Sequence, residues 1–138
     1  MFNLKVTGRG PRRRCEGVCM WFIGKYLPRH KLDITVNHKG LLCEGVFGYC
    51  TVEDYNYRPR CFLIELHTNL PKDLYCKTLL HELQHVLQHV RGDLRDKHQK
   101  RLWKGIDCSE LNYDEQPWEL DAMQMEEVLY QEYLTTLS

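Results

Sequence analysis

The spacing of apolar residues changes character about halfway along the chain. Leu32, Ile34 and Val36 alternate with polar neighbours, which is the period of a half-buried strand. Asn37 to Gly40 supplies turn residues, and Leu41 to Val52 resumes with β-branched and aromatic positions, so a hairpin is predicted there. A polar, Pro-containing stretch leads to Cys61–His67 (CFLIELH), which reads as another strand. Upstream, Val18 to Leu27 (VCMWFIGKYL) is apolar without a decisive period and fits either a strand or a short helix. From Pro71 the pattern turns helical. Asp73 falls in the first turn, Leu79, Leu83, Val86, Leu87 and Val90 recur on one face, and Gly92 is a natural stop. A basic connector (DLRDKHQKR) and a small predicted hairpin over Leu102 to Cys108 follow. Pro117 then opens a second helix running to about Thr135. Strands followed by helices predict an α+β domain.

Length changes this picture little: 138 residues allow one domain, placed at 16–138, behind a basic and mobile arm over residues 1–15 carrying Arg9 to Arg14 (RGPRRR). Formal net charge is zero, with 19 basic residues against 19 acidic, which disfavours a protein built to grip nucleic acid. The longest apolar runs are too short to cross a bilayer. The cysteines number seven, an odd count without a CxxC pair, and the charged start lacks the apolar run of a secretory signal. They read mainly as small buried residues of a reducing compartment, hence a cytoplasmic protein, or one in the cytoplasm of an infected cell if the chain is viral.

The chemistry lies in His81-Glu82-Leu83-Gln84-His85. Residues four apart on a helix project from one face, about 6 Å apart along the axis, so two imidazoles can converge on one ion. Glu82 lies about 100° around the helix, where its carboxylate can work on a water without displacing a ligand. The motif sits mid-helix, with an apolar face opposite and Thr78 and Gln88 keeping the ligand side polar. Zinc with two histidines needs a third protein ligand and an open fourth position. His89 continues the spacing, but it lies about 12 Å from His81 along the axis and cannot share the ion. It reads as a supporting or half-exposed residue. The second helix begins Gln116-Pro117-Trp118-Glu119-Leu120-Asp121-Ala122. Glu119 with the small Ala122 one turn on is the first choice for third ligand; Asp114, Glu115, Asp121 and His98 stay open. Asp121 could instead hydrogen-bond the outer nitrogen of a ligand histidine.

The combination of HELQH, the segment Trp103-Lys104-Gly105 and the element Gln116–Ala122 (QPWELDA) resembles small phage and bacterial metallopeptidases of the minimal, glutamate-liganded zincin kind. More distantly it resembles the SprT-like and ImmA/IrrE-like peptidases. The resemblance spans about residues 60 to 127 and implies a minimal zincin-like fold. In that fold a small, mostly antiparallel twisted sheet packs on the HExxH helix, and the next helix supplies Glu119 as third ligand. It also implies that Cys61–His67 rims the cleft and offers a free edge to an extended peptide. Relatives of this kind commonly carry Glu where this chain has Asp121, and no zinc ribbon follows, so a DNA-linked role is not carried over.

The expected activity is hydrolysis of a peptide or protein substrate at one zinc ion held by His81, His85 and Glu119, with Glu82 as general base. Tyr113, ahead of His98, Tyr130 and Tyr133, is the candidate oxyanion donor. Trp103 and Trp118 read as packing anchors. Two rival readings are a non-catalytic, zinc-stabilised interaction module and a nucleic-acid-associated protein using the basic arm. Glu82 speaks against the first, because a structural site closed by four ligands has no use for a free carboxylate beside it.

Overall fold

Residues 2–54 and 58–137 are described by a computed structural model. Strand β1 (Phe2–Gly8) opens the chain and pairs parallel with β2 (Leu32–Lys39), in register from Phe2 opposite Leu32 to Gly8 opposite His38. Between them runs α1 (Arg12–Tyr26), whose Cys15, Val18, Cys19, Phe22 and Ile23 form one buried helical stripe. Two expectations change here. The segment read as a mobile basic arm is β1 and the first turn of α1, because Phe2, Leu4 and Val6 pack on the core while the arginines stay at the surface or partly so. The ambiguous Val18–Leu27 stretch is helix up to Tyr26. Gly8 is required where it stands: its φ is 79°, and a Cβ there would lie 2.1 Å from the carbonyl oxygen of His38.

The predicted hairpin after β2 does not form. β3 (Gly48–Val52) passes to the sheet edge, and β4 (Cys61–His67) returns between it and β2, giving the order β1-β2-β4-β3. β2 and β4 pair parallel, β3 and β4 antiparallel. The sheet is therefore mixed rather than mostly antiparallel. The physical reason is burial. Phe62, Ile64 and Leu66 of β4 are fully buried and need neighbours on both sides, whereas β3 holds no fully buried residue and tolerates the edge.

Against this sheet lies α2 (Lys72–Arg91), which also touches α1 and α3 (Pro117–Thr136). Leu79, Leu80, Leu83 and Val86 are fully buried, each contributing roughly 1.5–3 kcal/mol of apolar burial. Gly92 ends the helix at φ 83°, its N–H bonded to the carbonyl of His89, as its sequence position predicts. The basic connector is not irregular. β5 (Leu94–Lys97), β6 (Lys100–Trp103) and β7 (Ile106–Asp107) form a second small antiparallel sheet. Its tight turns place His98, Gln99, Lys104 and Gly105 at positive φ, the twist that suits two-residue hairpins. The molecule is thus α+β, with a mixed sheet and three α-helices. Among the described residues no helix is long and apolar enough to cross a membrane.

Candidate metal centre

Long buried helices rarely carry polar residues inward, yet α2 buries Thr78, Glu82, Gln84, His85, Gln88 and His89. That concentration sets this part of α2 apart from the apolar core around it. His81 and His85 stand one turn apart with ring centroids at 5.0 Å. Glu119 approaches from the first turn of α3, where Ala122, fully buried, lets the helices close up. Its Oε1 lies 2.9 Å from His81 Nε2 and its Oε2 3.1 Å from His85 Nε2. Donor atoms of all three residues fall within 4.8 Å of one another, so this cluster could hold a metal ion. Two imidazole nitrogens and one carboxylate oxygen are a donor set for a divalent ion; tetrahedral zinc bonds would set neighbouring donors about 3.3 Å apart.

The surroundings hold each candidate ligand in place. His85 Nδ1 donates to Gln88 Oε1 at 2.8 Å, while the Gln88 amide nitrogen donates to Asp121 Oδ2 at 2.8 Å and to the Trp118 carbonyl at 2.9 Å. Asp121 also accepts from Gln84 at 2.9 Å. Asp121 therefore supports His85 through Gln88 rather than by touching it. His81 Nδ1 lies 3.5 Å from Glu126 Oε1, a residue seven positions after Glu119 and hence on the same face of α3. Sequence reasoning assigned no role to Glu126 or to this relay, although the spacing of Gln88 from His85 and of Glu126 from Glu119 could have suggested both.

Electrostatics follow from this packing. Burial works against a charged His81, but hydrogen bonds to Glu119 and Glu126, with Glu82 nearby, override it and raise the ring to about 10. Burial would raise Glu119, yet the hydrogen bonds and charges of His81 and His85 hold it well below the usual carboxylate range. Glu82 is pushed up to about 7 by burial, against the opposing pull of His85 and His81. A carboxyl poised near neutrality is suited to taking and returning a proton. Tyr113, exposed on a 3-10 turn, donates its hydroxyl to Glu119 Oε1 at 3.1 Å. Burial of that hydroxyl and the Glu119 charge raise it to about 12, so it remains an O–H donor at neutral pH.

His89 is buried, not half-exposed; it packs on Phe62 and lies outside the ligand cluster. Desolvation lowers it to about 4, leaving a neutral ring. Asp114, Glu115 and His98 are exposed and also outside the cluster, while Tyr130 is bonded to Asp73 and Tyr133 is buried against Trp21. Trp118 is buried under the Arg101 guanidinium; Trp103 is half-buried. The seven cysteines are all free thiols, with Cys15, Cys19 and Cys76 buried.

Two cavities flank the ligand set. One, of about 240 Å³, is lined by His81, His85, Glu119 and Glu82 together with Cys50, His89 and Arg101. The other, of about 500 Å³, is more apolar and is bounded by Val46, Phe47, Leu74 and Thr78. β3, not β4, rims this cleft: Gly48 borders both cavities, and β4 has both edges taken by β2 and β3. No protein-family model, curated protein or solved structure matches this chain.

Proposed function

We propose that this protein is a zinc-dependent endopeptidase of the minimal, glutamate-liganded zincin kind. The observation that carries the reading is Glu82: a buried carboxyl lining the cleft beside a cluster of three ligands without being one of them. A purely structural site would close its fourth position with a protein group. His81, His85 and Glu119 would hold the ion. A zinc ion there supplies Lewis acidity, polarising a carbonyl and acidifying water.

The chain's own groups do the rest. Glu82 takes a proton from the attacking water and hands it to the departing amine. Tyr113 offers its O–H to the oxyanion that develops on the carbonyl. The free edge of β3 receives the peptide backbone as an added strand and holds the scissile bond over the ligand set. Glu82→Gln keeps every ligand, so zinc content should match wild type while cleavage of an unfolded protein such as casein drops at least about a thousandfold. Unchanged cleavage by the zinc-loaded variant sinks this reading.

A further inference from the structure

The smaller of the two flanking cavities carries a positive group that the peptidase reading leaves unused. Arg101, on β6, lines it together with the ligand set. The guanidinium is held from two sides: Nε and Nη2 donate to the two carboxylate oxygens of Asp96 at 2.8 and 3.1 Å, and the group lies 5.3 Å above the Trp118 ring. Its backbone N–H is fixed by Ser109 Oγ at 2.8 Å. An arginine has five N–H donors; Asp96 takes two of Arg101's, and among the described residues no other acceptor engages the rest. His89 beside it is neutral, and Cys50 feels the charges of Glu82, Arg101 and Glu119 together. The ligand set, Cys50 and Arg101 therefore share one cavity, and Arg101 is the only lysine or arginine lining it among the described residues.

From this geometry we infer that Arg101 reads an acidic side chain on the substrate, on the amino side of the bond that is cut. The direction follows from β3. Val46 and Gly48 border both cavities, but Phe47 borders only the larger, apolar one, whereas Tyr49 and Cys50 border only the one with Arg101. A peptide added antiparallel to β3 lays its amino-terminal half beside Cys50 and Arg101 and its carboxyl-terminal half beside Phe47. The pair with Asp96 weakens the field of the guanidinium but fixes its orientation, so little rotamer freedom is lost when a carboxylate docks. The remaining N–H groups make charge-assisted bonds that glutamine cannot match.

The inference rests on the peptidase reading for its direction, and its test separates the two. Peptides differing only in Glu, Gln or Lys at successive amino-side positions are presented in two ways. One assay is cleavage by the zinc-loaded wild type, the other is binding by fluorescence anisotropy to zinc-loaded Glu82→Gln. At one position Glu should outperform Gln by roughly tenfold or more in both assays, with Lys worst, and Arg101→Ala should bring the Glu-to-Gln ratio close to one. Because the peptide swap leaves the protein intact, the result does not depend on how well the variant folds. Acid-selective, Arg101-dependent binding without any cleavage would support Arg101 as the reader of an acidic side chain and overturn the peptidase together with the amino-side assignment. Three outcomes overturn it: no acid preference at any position, a preference that survives Arg101→Ala, or a dependence only on the free peptide terminus, revealed by C-terminal amidation.

Discussion

His85 donates its Nδ1 proton to Gln88 Oε1 at 2.8 Å, and the orientation of that amide is not free. Gln88's nitrogen faces two acceptors, the Trp118 carbonyl and Asp121, so its oxygen must be the end that meets the imidazole. His85 is thereby oriented with Nδ1 toward Gln88 and Nε2 toward Glu119 and the candidate ion site. Gln88→Leu removes the relay at nearly constant volume and strands Asp121 with only Gln84. Metal affinity should fall about 10–100-fold, and the absorption bands of the cobalt-substituted protein should shift. Chelator competition measures the first; wild-type affinity in the variant would show that the relay does not tune the ligand.

The amino terminus makes a second prediction, opposite to that of a mobile arm. β1 supplies an edge of the sheet, and Gly8 fits against His38 only without a Cβ. Deleting residues 1–14 should abolish cooperative thermal unfolding rather than trim a tail. Gly8→Ala should cost at least about 2 kcal/mol in urea unfolding, through its positive φ and the clash together. An unchanged unfolding midpoint for the point variant would contradict the packing of this corner.

Why the carboxyl-terminal half was legible and the amino-terminal half was not has a physical answer. α2 and α3 are long and bounded by Gly92 and Pro117, local signals that need no partner, and α2 also carries a sustained helical stripe. α1 hides its stripe behind Arg12, Arg13 and Arg14 and builds it partly from Cys15 and Cys19, which a charge-weighted reading passes over. Strand order is not a local property: that β4 rather than β3 lies beside β2 depends on which strand most needs burial on both sides. At the site, His81 and His85 were visible because helix geometry sets them one turn apart, while Glu119, on a separate helix, was visible only as the first choice among several candidates and through the resemblance. Arg101 was not, since only the turn at His98 and Gln99 brings β6 back toward Trp118.

Tyr113 gives a third prediction. Its hydroxyl donates to Glu119 while its ring is largely exposed, so the side chain can turn toward a substrate oxygen without disturbing the core. Tyr113→Phe should lower kcat roughly 10–100-fold with little change in KM, because the lost bond strengthens only as charge develops on the carbonyl. Zinc content and Tm should stay near wild type. A rise in KM with kcat intact would make Tyr113 a substrate-binding group instead.

The last prediction concerns protons. In the metal-free fold His81 is raised from 6.5 to about 10, so the stability that its pairing contributes is fully present below pH 6.5 and fades as pH climbs toward 10. Glu119 is held below its ordinary 4.5, so its contribution is present above that value and is lost as pH falls through its lowered pKa. The pair therefore stabilises the empty protein most between these two reference values, near pH 4.5 to 6.5. A metal ion needs the lone pair that the proton occupies on His81, and must displace it. Binding at pH 7.5 should release about one proton, read from calorimetry in buffers of different ionisation heat, and affinity should rise about tenfold per pH unit between 6.5 and 8.5. A flat affinity profile over that range, or no proton released, would mean that His81 is already neutral in the empty site and that its bonds to Glu119 and Glu126 do not hold a proton there.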